Sequence, residues 1–215
     1  MRWIVLAVMP LACTRPAPPT TSAAAAPQFP VHTVAVAAPV DPPVPPELLS
    51  PPLRNGALRS PMPGGYMGGY YGDTGLDIAG RFLPVYAIAD GVLEYSEHGH
   101  TLWTGKGDTA YSIRIRLDAP IAVGAHRITH AYYTHLSALV TEQPESSPTK
   151  KHVVAGERIA TSGIANGVPH LHLGLLLDDQ VEQDSWTFIL REDAIRKVLG
   201  GYRNGELLPL RTPQS

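Results

Sequence analysis

The spacing that most plainly serves chemistry lies in Val168-Pro169-His170-Leu171-His172-Leu173, where two histidines stand one residue apart. On an extended segment, residues i and i+2 project from the same face, so both imidazoles point one way. A hydrophobic core has no use for two adjacent polar rings, each needing a partner. A metal site or an acid–base pair does. His135, in Tyr133-Thr134-His135-Leu136-Ser137, supplies a third imidazole, and Asp77, in Gly75-Leu76-Asp77-Ile78, a carboxylate. His135 is expected to end its strand, where a strand tip reaches a cleft. The other histidines read as bystanders. His98 and His100 sit in a Gly-containing loop, where either could bind metal although a solvated ring is the plainer reading, and His126, His152 and His32 look like surface residues. His130 has the opposite parity to His135 on the same strand and is expected to point away from it. Tyr66, Tyr70 and Tyr71, interleaved with glycines, could line a groove or cover a sheet edge.

The elements that position these side chains are short and mostly extended. Ser112–Leu117 alternates, with Ile113, Ile115 and Leu117 on one face and Arg114 and Arg116 on the other, the mark of a half-buried strand. Pro84–Ala89 and Val92–Tyr95, separated by Asp90-Gly91, read as two strands joined by a tight turn. Ile128–Leu136 and Arg158–Ser162 add two more. In His170–Leu177 the leucines 171, 173, 175 and 177 face one way and His170, His172 and Gly174 the other. Only Glu192–Leu199 has helical spacing, with Ala194, Ile195, Val198 and Leu199 on one face. Many short strands and one helix predict an all-β, antiparallel domain.

Composition bounds the rest. A net charge of −2 leaves no basic footprint for nucleic acid, which is excluded as a partner. Arg2 and the apolar run Trp3–Met9 form a short secretory signal, far below the ~20 residues of a membrane span. Leu11-Ala12-Cys13 follows, holding the chain's only cysteine, so no internal disulfide can form. The stretch resembles a lipoprotein signal, which would make residues 1–13 a leader and Cys13 a lipid anchor. Cleavage after the Ala23–Ala26 run is the alternative, and either route implies export. Residues 14–59 are Pro- and Ala-rich, a composition that forbids regular helix or ladder and suits an extended tether. Residues 60–215 carry the domain.

Four blocks stand in an order that resembles the lysostaphin-type, or LytM-like, M23 zinc peptidases. They are Thr74-Gly75-Leu76-Asp77-Ile78-Ala79, Pro84–Val92, Tyr133-Thr134-His135-Leu136-Ser137 and Val168-Pro169-His170-Leu171-His172-Leu173. The segments Val154–Ile159 and Thr161-Ser162-Gly163 are similar to the family's turn and strand before the last block. The likeness spans roughly Gly64 to Leu177. It implies an antiparallel sheet or sandwich of the lysostaphin type with a short C-terminal helix. It also implies a Zn²⁺ endopeptidase acting on the peptide cross-links of peptidoglycan in the cell envelope; the leader, through Cys13, adds anchoring to a membrane facing the periplasm. Carried over by motif, Asp77 and His172 match metal ligands, and His135 and His170 match the catalytic histidines.

One ligand position departs from the family. Where it has His, this chain has Asp73, in Gly72-Asp73-Thr74-Gly75. Zinc accepts carboxylate oxygen at ~2.0–2.2 Å, close to its imidazole distance. Two carboxylates and a neutral His nevertheless leave the site formally neutral, a weaker Lewis acid than the family's +1 site. The change leaves two readings: a peptidase with a third ligand from Asp73, or a degenerate relative that binds the wall or activates an amidase.

Overall fold

The computed structural model describes residues 58–67, 74–101, 105–181 and 189–200. The expectations for the leader, Cys13 and the linker up to residue 57 lie outside the described residues, as do those for Asp73, Tyr70, Tyr71 and His32. Nine strands and one helix follow in chain order among the described residues. The strands are β1 (Tyr66–Met67), β2 (Leu76–Ala79), β3 (Pro84–Tyr86), β4 (Gly91–His98), β5 (Tyr111–Val123), β6 (His126–Leu139), β7 (His152–Val153), β8 (Arg158–Ala165) and β9 (Val168–Leu177). The helix is α1 (Glu192–Val198). The fold is all-β with one short helix, and every strand pairing is antiparallel.

The strands form one sheet in the order β1-β2-β9-β8-β6-β5-β4-β7, with β3 added on β8. Its hairpins follow local chemistry. β8 and β9 meet through Asn166-Gly167, both at positive φ, as a tight two-residue hairpin turn demands. β5 and β6 turn at Gly124, also left-handed. One face of the sheet buries the alternating apolar residues: Leu76 and Ile78, Ile113 and Ile115, Tyr133, then Leu171, Leu173 and Leu175. Val85, Ile88, Ile195 and Leu199 complete this core. Each fully buried aliphatic side chain contributes about 1.5–3 kcal/mol. The helix is held by the face expected for it, with Ile195 and Leu199 buried.

Three sequence expectations are corrected here. Pro84–Ala89 and Val92–Tyr95 do not pair with each other. β3 lies on β8, and its continuation at Ala87 exchanges backbone hydrogen bonds with the 156–157 turn, whereas β4 pairs with β5 and β7. The tight turn joins two ladders rather than closing one. Arg114 does not face solvent. It is 8% exposed and lies over the Tyr95 ring, its guanidinium bonded to Glu94 at 2.6 Å and Glu145 at 2.5 Å. Finally, His135 does not end its strand but sits inside β6.

That last point decides the site. From Ile128 to Thr134, β6 pairs with β9, and from Leu136 to Leu139 it pairs with β8. β8 and β9 pair with each other only from Gly163–Ala165 to Val168–His170, then diverge, and β6 enters the fork between them. His135 is the residue at which β6 changes partner, and its φ is +61°. A non-glycine residue in that region costs of order 1–2 kcal/mol. The bulge inserts one extra residue, so Tyr133 and Leu136, three apart, are both in the core.

Candidate active site

Asp77 and His172 are direct cross-strand partners on β2 and β9. Their side chains share the face opposite the leucines, and His172 Nδ1 lies 2.8 Å from Asp77 Oδ1. The other ring nitrogen, Nε2, rests against Gly75, where a Cβ would come within 2.3 Å of it. Gly75 therefore lets the ring lie flat with Nδ1 aimed at the carboxylate. His170, two residues earlier on β9, places Nε2 3.9 Å from the same Asp77 oxygen. The bulge at His135 turns its imidazole to this face as well. Its ring centre is 5.0 Å from that of His170 and 6.0 Å from that of His172. Four of the five residues singled out by sequence thus meet at the strand fork. The fifth, Asp73, lies outside the described residues.

Hydrogen bonds assign the protons. His170 Nδ1 lies 2.8 Å from the Val168 carbonyl, which can only accept, so Nδ1 carries the proton. In that tautomer Nε2 presents a lone pair to the site, the arrangement a general base needs. Asp77 is pulled in two directions. Burial favours its neutral form, but the hydrogen bond from His172, and then the attraction between the carboxylate and the His172, His170 and His135 rings in their protonated forms, prevail, and its pKa is lowered. His135 is pushed down to about 3, by burial first and then by the neighbouring His172 and His170 charges. It is a neutral imidazole across the physiological range, able to donate an N–H without carrying charge.

The donor set can be tested against zinc. A tetrahedral ion at ~2.0–2.1 Å from an oxygen and a nitrogen separates them by about 3.3 Å. The Asp77–His172 pair, now bridged by a proton, would open by about 0.5 Å, a small side-chain movement. Oxygen and imidazole nitrogen on one near-buried point are zinc chemistry, and two ligand positions fit. Among the described residues no group of three His, Cys, Asp or Glu could hold a metal ion. A zinc site with three protein ligands would need a residue beyond them.

The remaining described histidines separate from the site. His100 stacks on Tyr95 at 4.1 Å and bonds Glu97, His98 meets the Tyr111 ring edge-on, and His126 and His152 pair with Asp178 and Asp118 at the surface. His130 is corrected: because the bulge flips His135, the two share a face. His130 is nonetheless drawn to the far end, buried, with Nε2 3.5 Å from Glu94. Tyr66 is exposed on β1, at the sheet edge.

Sequence reading missed the hydroxyls around the cluster. Thr101 Oγ1 lies 3.4 Å from His135 Nδ1. Ser112 and Thr134 bond each other at 2.9 Å beside His172, the cross-strand partner of Thr134. Thr134 was hidden by parity, since it is adjacent to His135 and only the bulge brings both to one face. Ser112 and Thr101 carried no signal.

No family model and no curated protein matches the chain. Solved structures do resemble it. The catalytic domain of the antimicrobial peptidase lysostaphin from Staphylococcus simulans matches at 23% identity and TM-score 0.38, over 62% of this chain and 89% of that one. A longer lysostaphin structure matches at 25% identity and TM-score 0.41, over 69% of this chain but only 55% of the other. A zinc-containing peptidase from Vibrio cholerae matches at 17% identity and TM-score 0.34, over 67% and 39%. With TM-scores below 0.5, these likenesses carry no argument by themselves, and the chemistry rests on the side chains.

Proposed function

We propose that this chain is a zinc-dependent endopeptidase that cuts peptide cross-links of peptidoglycan, exported and tethered in the cell envelope through a lipid on Cys13. The observation that carries the reading is the meeting of Asp77, His172, His170 and His135 at the fork, with donor and lone-pair atoms facing one point. Asp77 and His172 would hold the metal, with Asp73 as third ligand. The chemistry a bound zinc would supply there is Lewis acidity toward a scissile carbonyl and a water.

The chain's own residues do the rest. His170 Nε2 takes the proton of the attacking water, and its Nδ1–H, bonded to Val168, holds the ring in place while the charge develops. His135, neutral by burial, donates an N–H to the oxyanion of the tetrahedral intermediate. His170 then returns the proton to the leaving amine. A polymeric wall substrate suits a tethered enzyme.

The test is metal content of the purified protein, by elemental mass spectrometry after dialysis against trace zinc, followed by peptidoglycan digestion. Expected are about one zinc per chain, its loss in His172→Ala, a reduction in Asp73→Ala, and release of peptides that His170→Ala abolishes. No retained metal and no digestion would overturn the reading, leaving a wall-binding or amidase-activating module.

A further inference from the structure

We infer that Thr109 is the positioning residue that holds His135 in its left-handed conformation; the inference deepens the peptidase reading and rests on it for its catalytic meaning. At the fork, the bulged peptide after His135 has left the β9 ladder and not yet joined β8. Thr109 reaches into this gap. Its hydroxyl accepts from the Ile164 backbone N–H at 2.9 Å, and so gives its own proton to the His135 carbonyl, also at 2.9 Å. The Ile164 carbonyl, at 3.3 Å, is the weaker acceptor and is already bonded by the Thr109 N–H.

The approach is built into the sequence around it. A Cβ on Gly163 would stand 1.9 Å from Thr109 Oγ1 and 2.5 Å from the His135 carbonyl oxygen, so only glycine admits both groups. Asp108, the preceding residue, ties the segment to the β8–β9 turn by accepting from the backbone N–H groups of Asn166 and Gly167, and braces its own loop by accepting from that of Gly105. The loop that carries Thr109 is thereby fastened to the hairpin that carries His170.

The physical need is clear. A left-handed histidine costs about what one well-made hydrogen bond returns. Without the hydroxyl, the His135 carbonyl loses the bond that Thr109 gives it, and rotation of that peptide relieves the strained φ. The ring then swings off the face where His170 and His172 lie.

The test pairs Thr109→Val, which keeps the shape and removes the hydroxyl, with Thr109→Ser, which restores it. Thr109→Ala replaces the valine variant if that fails to fold. Crystal structures read the His135 φ directly, and kinetics on peptidoglycan give kcat and KM separately. Expected are relaxation of φ from +61° to a negative value in the valine variant, a kcat lower by ~10–100-fold with KM unchanged, and wild-type behaviour of the serine variant. If the wild type proves to have no peptidase activity, the pair of structures still decides the positioning role, and it is the peptidase reading that falls. A valine variant whose His135 stays near +61°, or whose kcat ignores the relaxation, overturns the assignment.

Discussion

Replacing Glu94 by Gln should destabilise the fold by about 2 kcal/mol at neutral pH and by clearly less in acid. Glu94 joins the buried arginine to the rest of the polar face: Oε2 accepts from Arg114 Nε at 2.6 Å, and Oε1 lies 3.5 Å from His130 Nε2. Burial alone would raise its pKa, but hydrogen bonds from His130 and Arg114, and then their charges, bring it from 4.5 down to about 2. A displacement of about 2.5 pH units, at about 1.36 kcal/mol each, caps the contribution at about 3.4 kcal/mol. The side chain is 23% exposed, so water screens part of it, and about 2 kcal/mol remains. Because the folded pKa lies below the unfolded one, the unfolded chain binds the proton more readily between pH 4.5 and 2. The stabilisation is complete above that window and is lost as pH falls through it. At pH 3 roughly half should survive. The measurement is urea unfolding of both proteins at pH 7 and pH 3. The expected midpoint difference is about 1 M at pH 7, shrinking to about half that at pH 3. A difference below about 0.3 M at pH 7, or one equal at both pH values, would refute the account of Arg114 as a cation held by this carboxylate.

Two further expectations follow from buried groups. Tyr133→Phe removes the hydroxyl that accepts from the Ile88 backbone N–H at 3.0 Å, both residues being fully buried. The orphaned donor should cost about 1–3 kcal/mol in thermal unfolding, and no measurable loss would mean the N–H finds another acceptor. The His135 ring, with its pKa near 3, should keep neutral-imidazole NMR shifts in the metal-free protein from pH 8 to pH 5. A midpoint near the ordinary 6.5 would mean that burial does not govern this residue.

Strand periodicity was written locally and could be read locally. The alternation in Ser112–Leu117 and His170–Leu177 places isoleucines and leucines in the core because side chains on extended backbone alternate without help from other elements. The His170–His172 pair was legible for the same reason, as was α1 from its apolar spacing. What tertiary structure decided was every feature that depends on which strand lies beside which. The Pro84 and Val92 segments have hairpin texture, yet each finds a different neighbour, since backbone donors and acceptors do not record their partners in sequence. The fork between β8 and β9 forces the bulge at His135, and the bulge inverts the parity that would have sent this ring to the core. Thr109 and Gly163, 54 positions apart in the chain, look like ordinary loop and strand residues until the fork brings them together. A hydrogen bond to a backbone carbonyl leaves no mark on the identity of the residue that owns it. Residue types thus set the chemistry this chain can perform, and the divergence of two strands set where it is gathered.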